Sequence, residues 1–293
     1  MSSYDKKINN LFYYWLIFSF FLVFAMVIIG GLTRLTNAGL SITEWELFTG
    51  ILPPVNNKEW DVYFSLYKEI PQYKLINKNM NMNEFKIIFY WEYFHRFLGR
   101  VIGLFFLIPL IYFTFKKNIN KKYIQISYFV MFLILLQGLV GWYMVKSGLV
   151  NNISVSHYRL SLHLSLAFLI ISIIFWNILN VKNHTFAFFF SVKKKNYLFY
   201  ILFLLIFFQV IIGAFVSGLD AGRIYQTWPL MNYSYFPNDV LVEKLFDLFD
   251  FKNHSLIQFY HRNIAYFIVI YIFFLGYFIY KNKFQNLIKP LHV

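Results

Sequence analysis

Hydrophobic residues run along this chain in long, nearly unbroken blocks, and the polar residues gather between them. Six blocks reach the roughly 20 apolar residues that a helix needs to cross a bilayer: about 12–32, 88–115, 123–145, 157–180, 197–219 and 257–280. The pattern predicts an all-α fold, a polytopic membrane helical bundle with six transmembrane helices. The first block is long and opens an ordered series of spans, so it reads as a retained helix rather than a cleaved signal peptide. After Tyr280 a polar tail continues to Val293 and is too short to span. Two long polar connections, 33–87 and 220–256, are expected to carry short surface helices over about 60–70 and 240–251.

Composition supports a chain solvated mainly by lipid: 59% hydrophobic, 23% aromatic and 14% charged residues, with a mean hydropathy of +0.54. Lysines settle the orientation. Lys6 and Lys7, Lys116, Lys117, Lys121 and Lys122, Lys182 and Lys193 to Lys195, and Lys281 and Lys283 all fall on one side of the predicted membrane. By the positive-inside rule that side is cytoplasmic, so both termini are expected in the cytoplasm of a multi-pass inner (cell) membrane protein, with 33–87 and 220–256 outside. The formal charge of +14 is then mostly topology, which argues against nucleic acid as a partner and for membrane lipid. Cysteine is absent, and this excludes disulfides, thiolate catalysis and Cys-ligated metal.

The chain also repeats itself. Ile28-Ile29-Gly30 through Asn37-Ala38-Gly39 to Trp45 returns as Ile211-Ile212-Gly213 through Asp220-Ala221-Gly222 to Trp228 with the same internal spacing, and His95-Arg96 returns as His261-Arg262. A pseudo-twofold pair of four-helix bundles follows. The first would occupy 1–182 with its long outer loop, and the second, 183–293, holds helices five and six and reads as incomplete.

Ionisable groups inside hydrocarbon are costly and are functional candidates by default. His95 and His163 enter their helices from the same face, about a turn or two from the outer end at 1.5 Å per residue, so their imidazoles can share one level. Two neutral imidazoles facing across a bundle make a bis-histidine haem site; the alternative for each is a hydrogen-bonded structural histidine. Glu92, one turn before His95, would touch the rim of the same macrocycle and is suited there to proton transfer. Its alternative is an ion pair with Arg96 or Arg34. At the equivalent place in the second bundle stands Gln258, which cannot titrate, so chemistry is assigned to the first bundle and a non-reactive role such as electron storage to the second. Gly99 and Gly103 leave room on the same face of helix two, as ordinary helix packing also would. Arg34, Arg96, Arg100, Arg159, Arg223 and Arg262 lie in outer connections or outer helix turns, where positive-inside topology does not require them. Guanidinium groups grip carboxylates bidentately, so these six are candidates for an anionic ligand such as a propionate, or for lipid phosphate. His157 is either a relay or propionate partner or simply solvated, and His184, His254 and His292 receive no role.

Taken together, Gly30-Gly31-Leu32-Thr33-Arg34-Leu35-Thr36, Gly39-Leu40-Ser41-Ile42-Thr43-Glu44-Trp45, Glu92-Tyr93-Phe94-His95-Arg96 with Gly99-Arg100, Tyr158-Arg159-Leu160 with His163-Leu164, Gly218-Leu219-Asp220-Ala221-Gly222 and Phe259-Tyr260-His261-Arg262 resemble the heme A synthase family in order and spacing. The lack of cysteines is similar to its proteobacterial and mitochondrial branch. The resemblance implies eight helices, with substrate heme O between His95 and His163 and a resident haem b in the second bundle with His261 as one axial ligand. It implies Glu92 as the catalytic carboxylate and oxidation of the C8 methyl of heme O to a formyl group with oxygen from water. It also implies a heme O supplier, heme O synthase, an electron acceptor and a possible homo-oligomer as partners. Against that pattern, helices seven and eight and their histidine do not follow Tyr280. The expectation is a truncated or frameshifted product, a pair supplied by another chain, or a second haem that is five-coordinate or lost. Two other readings stay open: a bis-histidine membrane cytochrome for electron transfer, and a non-catalytic haem-handling assembly factor for the oxidase.

Overall fold

The computed structural model describes residues 3–44, 49–116, 119–150, 152–187, 189 and 196–282. Trp45, Lys117, Lys193 to Lys195, Lys283 and His292 lie outside the described residues. Eight α-helices are present among those described: α1 Ser3–Leu35, α2 Asn57–Glu69, α3 Pro71–Leu75, α4 Met82–Phe115, α5 Lys121–Lys146, α6 His157–Lys182, α7 Tyr197–Gly218 and α8 His254–Lys281. Six of these, α1 and α4 to α8, are long and apolar enough to cross a membrane. A continuous helix is what hydrocarbon demands of such segments, because every backbone N–H and C=O must be satisfied within the segment itself.

Polar punctuation sets the ends. Asn81 accepts from the backbone of Glu84 while the Glu84 side chain accepts from the backbone of Asn81, a reciprocal capping box that starts α4. This cap begins α4 two turns earlier than the apolar run at 88 suggests, so His95 lies more than three turns along α4, about 20 Å from Met82. Asn56, Asn120 and Asn253 cap α2, α5 and α8 with their side chains, and Pro71 opens α3. The surface helix expected over 60–70 is present as α2, displaced by a few residues. The one expected over 240–251 shrinks to a short 3₁₀ turn, Leu245–Phe249. Its apolar side chains Leu245, Phe246 and Phe249 remain exposed, so no tertiary burial stabilises a longer helix there.

The chain divides into two compact units, 1–189 and 190–293. In the first, α1 packs against α4 and α6, and α5 packs against α4 and α6. Hence α4 and α6 stand on a diagonal of the bundle. The core at the lysine-rich half is Phe12, Trp15, Leu16, Phe106, Leu110, Phe113, Ile170 and Ile174. There α5 and α6 are also tied by Tyr123, which donates to the carbonyls of Asn180 (3.2 Å) and Thr185 (2.9 Å), and by Asn177, which donates to Ser127 (3.2 Å). Such interhelical bonds hold helices together where lipid offers no hydrophobic drive. At the opposite end Leu40, Ile42, Trp60, Phe64, Tyr67, Phe85 and Phe89 form a second core, which seats the segment around α2 on the start of α4. In the second unit α7 and α8 pair along their length, with Ile212, Phe215 and Ile257 buried at one end and Leu198, Leu275 and Ile279 at the other.

Candidate functional site

The diagonal placement of α4 and α6 brings His95 and His163 face to face, with ring centroids 6.5 Å apart and ring planes inclined by 54°. That separation suits a shared iron. Metal–imidazole bonds of about 2 Å on each side, plus about 1 Å from each nitrogen to its ring centre, place the centroids roughly 6 Å apart. The described residues contain no group of three or more His, Asp or Glu arranged to hold a metal by themselves. Two imidazoles facing each other leave the other coordination positions of an ion open, an arrangement that haem iron fits.

Each of the three membrane histidines leans on a glycine of the neighbouring helix. A Cβ at Gly30 of α1 would come within 3.2 Å of the His95 Nε2, one at Gly141 of α5 within 3.0 Å of the His163 Cε1, and one at Gly213 of α7 within 3.1 Å of the His261 Cε1. Close approach of the ring to the backbone is what fixes these glycines. Gly30 and Gly213 had been visible only as markers of the repeat, and Gly141 carried no signal alone. By contrast, a Cβ at Gly103 would meet nothing within 4 Å and one at Gly99 would meet Met26 at 3.4 Å.

Two glutamines complete the arrangement, and sequence reasoning missed both. Gln137 of α5 donates from Nε2 to the backbone oxygen of His163 at 3.0 Å and lies 3.3 Å from its Nε2. Gln209 of α7 makes the same pair of contacts with His261, at 3.1 and 3.4 Å. The available signal was Gln137-x-x-x-Gly141 recurring as Gln209-x-x-x-Gly213, four residues apart and hence on one helix face.

Glu92 is buried, 3% exposed, with both carboxylate oxygens occupied. Oε2 accepts from the Ser41 hydroxyl (2.8 Å) and the Ile42 backbone N–H (2.9 Å), and Oε1 accepts from Arg96 Nε (3.0 Å) and Nη2 (2.6 Å). Arg96 goes on to the carbonyls of Ile42 (2.8 Å) and Glu44 (3.2 Å). The second unit contains the same clamp without the charge. Gln258 accepts from the Tyr225 N–H (3.1 Å) and donates to the Tyr225 carbonyl (2.8 Å), while Arg262 donates to the carbonyls of Tyr225 (2.7 Å) and Thr227 (2.8 Å). An amide therefore suffices to anchor this loop, and a carboxyl group at Glu92 exceeds what anchoring needs.

The other candidates separate. Arg34 ends α1 and donates to Asn37 (2.9 Å). Arg100, one turn beyond Arg96, lines a small cleft with Glu44 and Tyr93. Arg159 caps the end of α5 through the Tyr143 carbonyl (2.7 Å) and sits over the Tyr143 ring, beside a cleft shared with Trp142 and Lys146. Arg223 is exposed in a 3₁₀ turn, Ala221–Arg223. His157 opens α6 with its ring against Tyr158. Arg96 and Arg262 are thus engaged with loop backbone, Arg34, Arg159 and Arg223 lie near helix ends or in a turn, and Arg100 lies midway along α4.

A bundle of apolar spans with paired imidazoles across its diagonal is a polytopic α-helical membrane protein. The chain matches the family COX15-CtaA, described as cytochrome oxidase assembly protein, over residues 13–292, and it belongs to that family. Similar proteins include the heme A synthase of Pelagibacter ubique (strain HTCC1062), 52% identical over 273 residues that cover 92% of this chain and 80% of that protein. The heme A synthase of Parvibaculum lavamentivorans is 43% identical over 88% of this chain and 74% of its own length. That of Nitrosomonas eutropha is 43% identical over 92% and 76%. No solved structure matches significantly.

Proposed function

We propose that this protein is a heme A synthase, oxidising the C8 methyl of heme O to a formyl group. The balance is methyl plus water to formyl with release of four protons and four electrons, so the reaction needs an acceptor for the electrons and a route for the protons. The observation that carries the reading is the 6.5 Å pairing of His95 and His163 across the bundle, one helical turn from a buried carboxylate. In this reading His95 and His163 hold the substrate iron, which fixes the porphyrin edge against α4. Glu92 takes a proton from the reacting water or methyl and releases it toward the outer face, while Arg96 holds the carboxylate in place. Arg34, Arg100, Arg159 and Arg223 are the candidates for binding the propionates. His261 would hold a resident haem b, which would supply one-electron redox chemistry when bound. The family match and the named relatives support a role in heme A biosynthesis, and heme O synthase as supplier and the inner membrane as location belong to the same proposal.

Extracted haems test this. Cells that make heme O and express the protein should yield heme A. Glu92→Gln should retain haem and lower heme A by a factor of about 10² or more, the range of general acid–base catalysis. His163→Ala should lose both haem at this site and product. Heme A at undiminished levels in Glu92→Gln would return Glu92 to loop anchoring, whereas bound haem with no heme A from the wild-type chain would favour the electron-carrier reading, which needs no carboxylate.

A further inference from the structure

Four buried atoms in two separate places share one unusual state. His163 Nδ1 and Gln137 Oε1 have no hydrogen-bond partner, and neither do His261 Nδ1 and Gln209 Oε1. Buried polar atoms are nearly always paired, and unpaired ones require a reason. Here each glutamine Nε2 faces the carbonyl oxygen of its histidine at 3.0 or 3.1 Å, which requires the amide to point its nitrogen that way and leaves Oε1 unused. The second amide proton faces the imidazole Nε2, so that nitrogen is the acceptor and the ring proton resides on Nδ1. Each site thus carries one orphaned acceptor and one orphaned donor, repeated in both units.

We propose that Gln137 and Gln209 are positioning residues for the axial histidines. They select the tautomer whose lone pair is on Nε2, and once iron takes that lone pair the displaced amide can turn its oxygen to receive the Nδ1–H. Ligating histidines generally donate their second N–H to a carboxylate or carbonyl group, which fixes the ring and raises its basicity. The inference rests on the reading of His163 and His261 as iron ligands. It also makes the two ligands of the first site unequal: at the position of α1 that corresponds to Gln137, four residues before the cradling glycine, stands Met26, whose thioether cannot donate a hydrogen bond.

The test uses the full chain in detergent with haem added, in a His261→Ala background so that one site is read. Midpoint potential, low-spin absorption and haem loss to an excess of scavenging apoprotein are measured for Gln137→Leu and Gln137→Glu. Gln137→Leu should release haem 10- to 100-fold faster, the usual cost of losing such a partner, and raise the potential. Gln137→Glu, a stronger acceptor, should retain haem and shift the oxidised-to-reduced ratio at fixed potential about tenfold toward oxidised, about 59 mV for one electron. A residue that merely fills space would move both variants the same way or neither, and either result overturns the inference. His163→Ala separates the two levels: loss of the low-spin signal with unaltered glutamine variants defeats the inference alone, and persistence of that signal defeats the ligand assignment with it.

Discussion

Gly141 touches the His163 ring through a surface that any side chain would occupy. In Gly141→Ala the new methyl would lie 3.0 Å from Cε1, so the imidazole or α5 must move, at a cost of about 1–3 kcal/mol. The expected outcome is haem affinity lowered about tenfold or more in a haem titration, with Gly31→Ala, where the methyl meets nothing within 4 Å, behaving as wild type. Glu92 teaches a complementary lesson. Its position one turn before His95 was legible in the sequence because both lie in a short motif on one helix. Its contacts with Ser41 and Ile42 were not, since they join segments some fifty residues apart. Those contacts make Glu92→Gln an informative variant, because Gln258 already performs the corresponding loop attachment as an amide.

Helices here end in attachments that the loops complete. Asp239, outside the membrane spans, accepts from Ser255 at the start of α8 (2.6 Å) and from Tyr225 (2.5 Å). Burial pushes its pKa up, but the two hydroxyl bonds outweigh that and hold it below the ordinary 3.8. A carboxyl whose folded pKa is lowered contributes stability that is complete above the unfolded value and disappears as pH falls through the folded one. Thermal unfolding of the solubilised protein should therefore show a loss of stability on acidification below about pH 4, and Asp239→Asn should flatten that slope while lowering the Tm at neutral pH. Arg262 binds two carbonyls of the loop that follows α7. Bonds from a charged donor are each worth about 1.5–3 kcal/mol where desolvated, so Arg262→Ala should speed amide exchange around residues 224–228 by at least about tenfold, read by mass spectrometry. The short helix expected over 240–251 fails at this scale because propensity and charge alone cannot stabilise a dozen residues whose apolar side chains find no partner.

Across the molecule, the lysine distribution predicts that the segment containing α2 lies outside, and the absence of natural cysteine makes that expectation easy to check. A single cysteine at Asp61→Cys should react with an impermeant maleimide in intact cells. One at Lys121→Cys should react only after the membrane is opened. Reversal of the two would overturn the topology and, with it, the outer location of the arginines. The same device is used in both units: a glycine and a glutamine from one helix secure a histidine of the next, and an arginine one residue after a histidine binds the preceding loop. The repeat in sequence announced that the units would be alike, and the structure shows which contacts are alike.

Six spans, their order and the histidine-bearing motifs were decided by the sequence alone, because burial in hydrocarbon is read residue by residue from apolar run length and a motif on one helix keeps its spacing when folded. The meeting of His95 with His163, the clasp of Glu92 on the Ser41 segment, and the pairing of Gln137 and Gln209 with their histidines were decided only by tertiary structure. Those contacts join different helices, and which faces of those helices meet is set by packing across the bundle, a property no single run of residues contains.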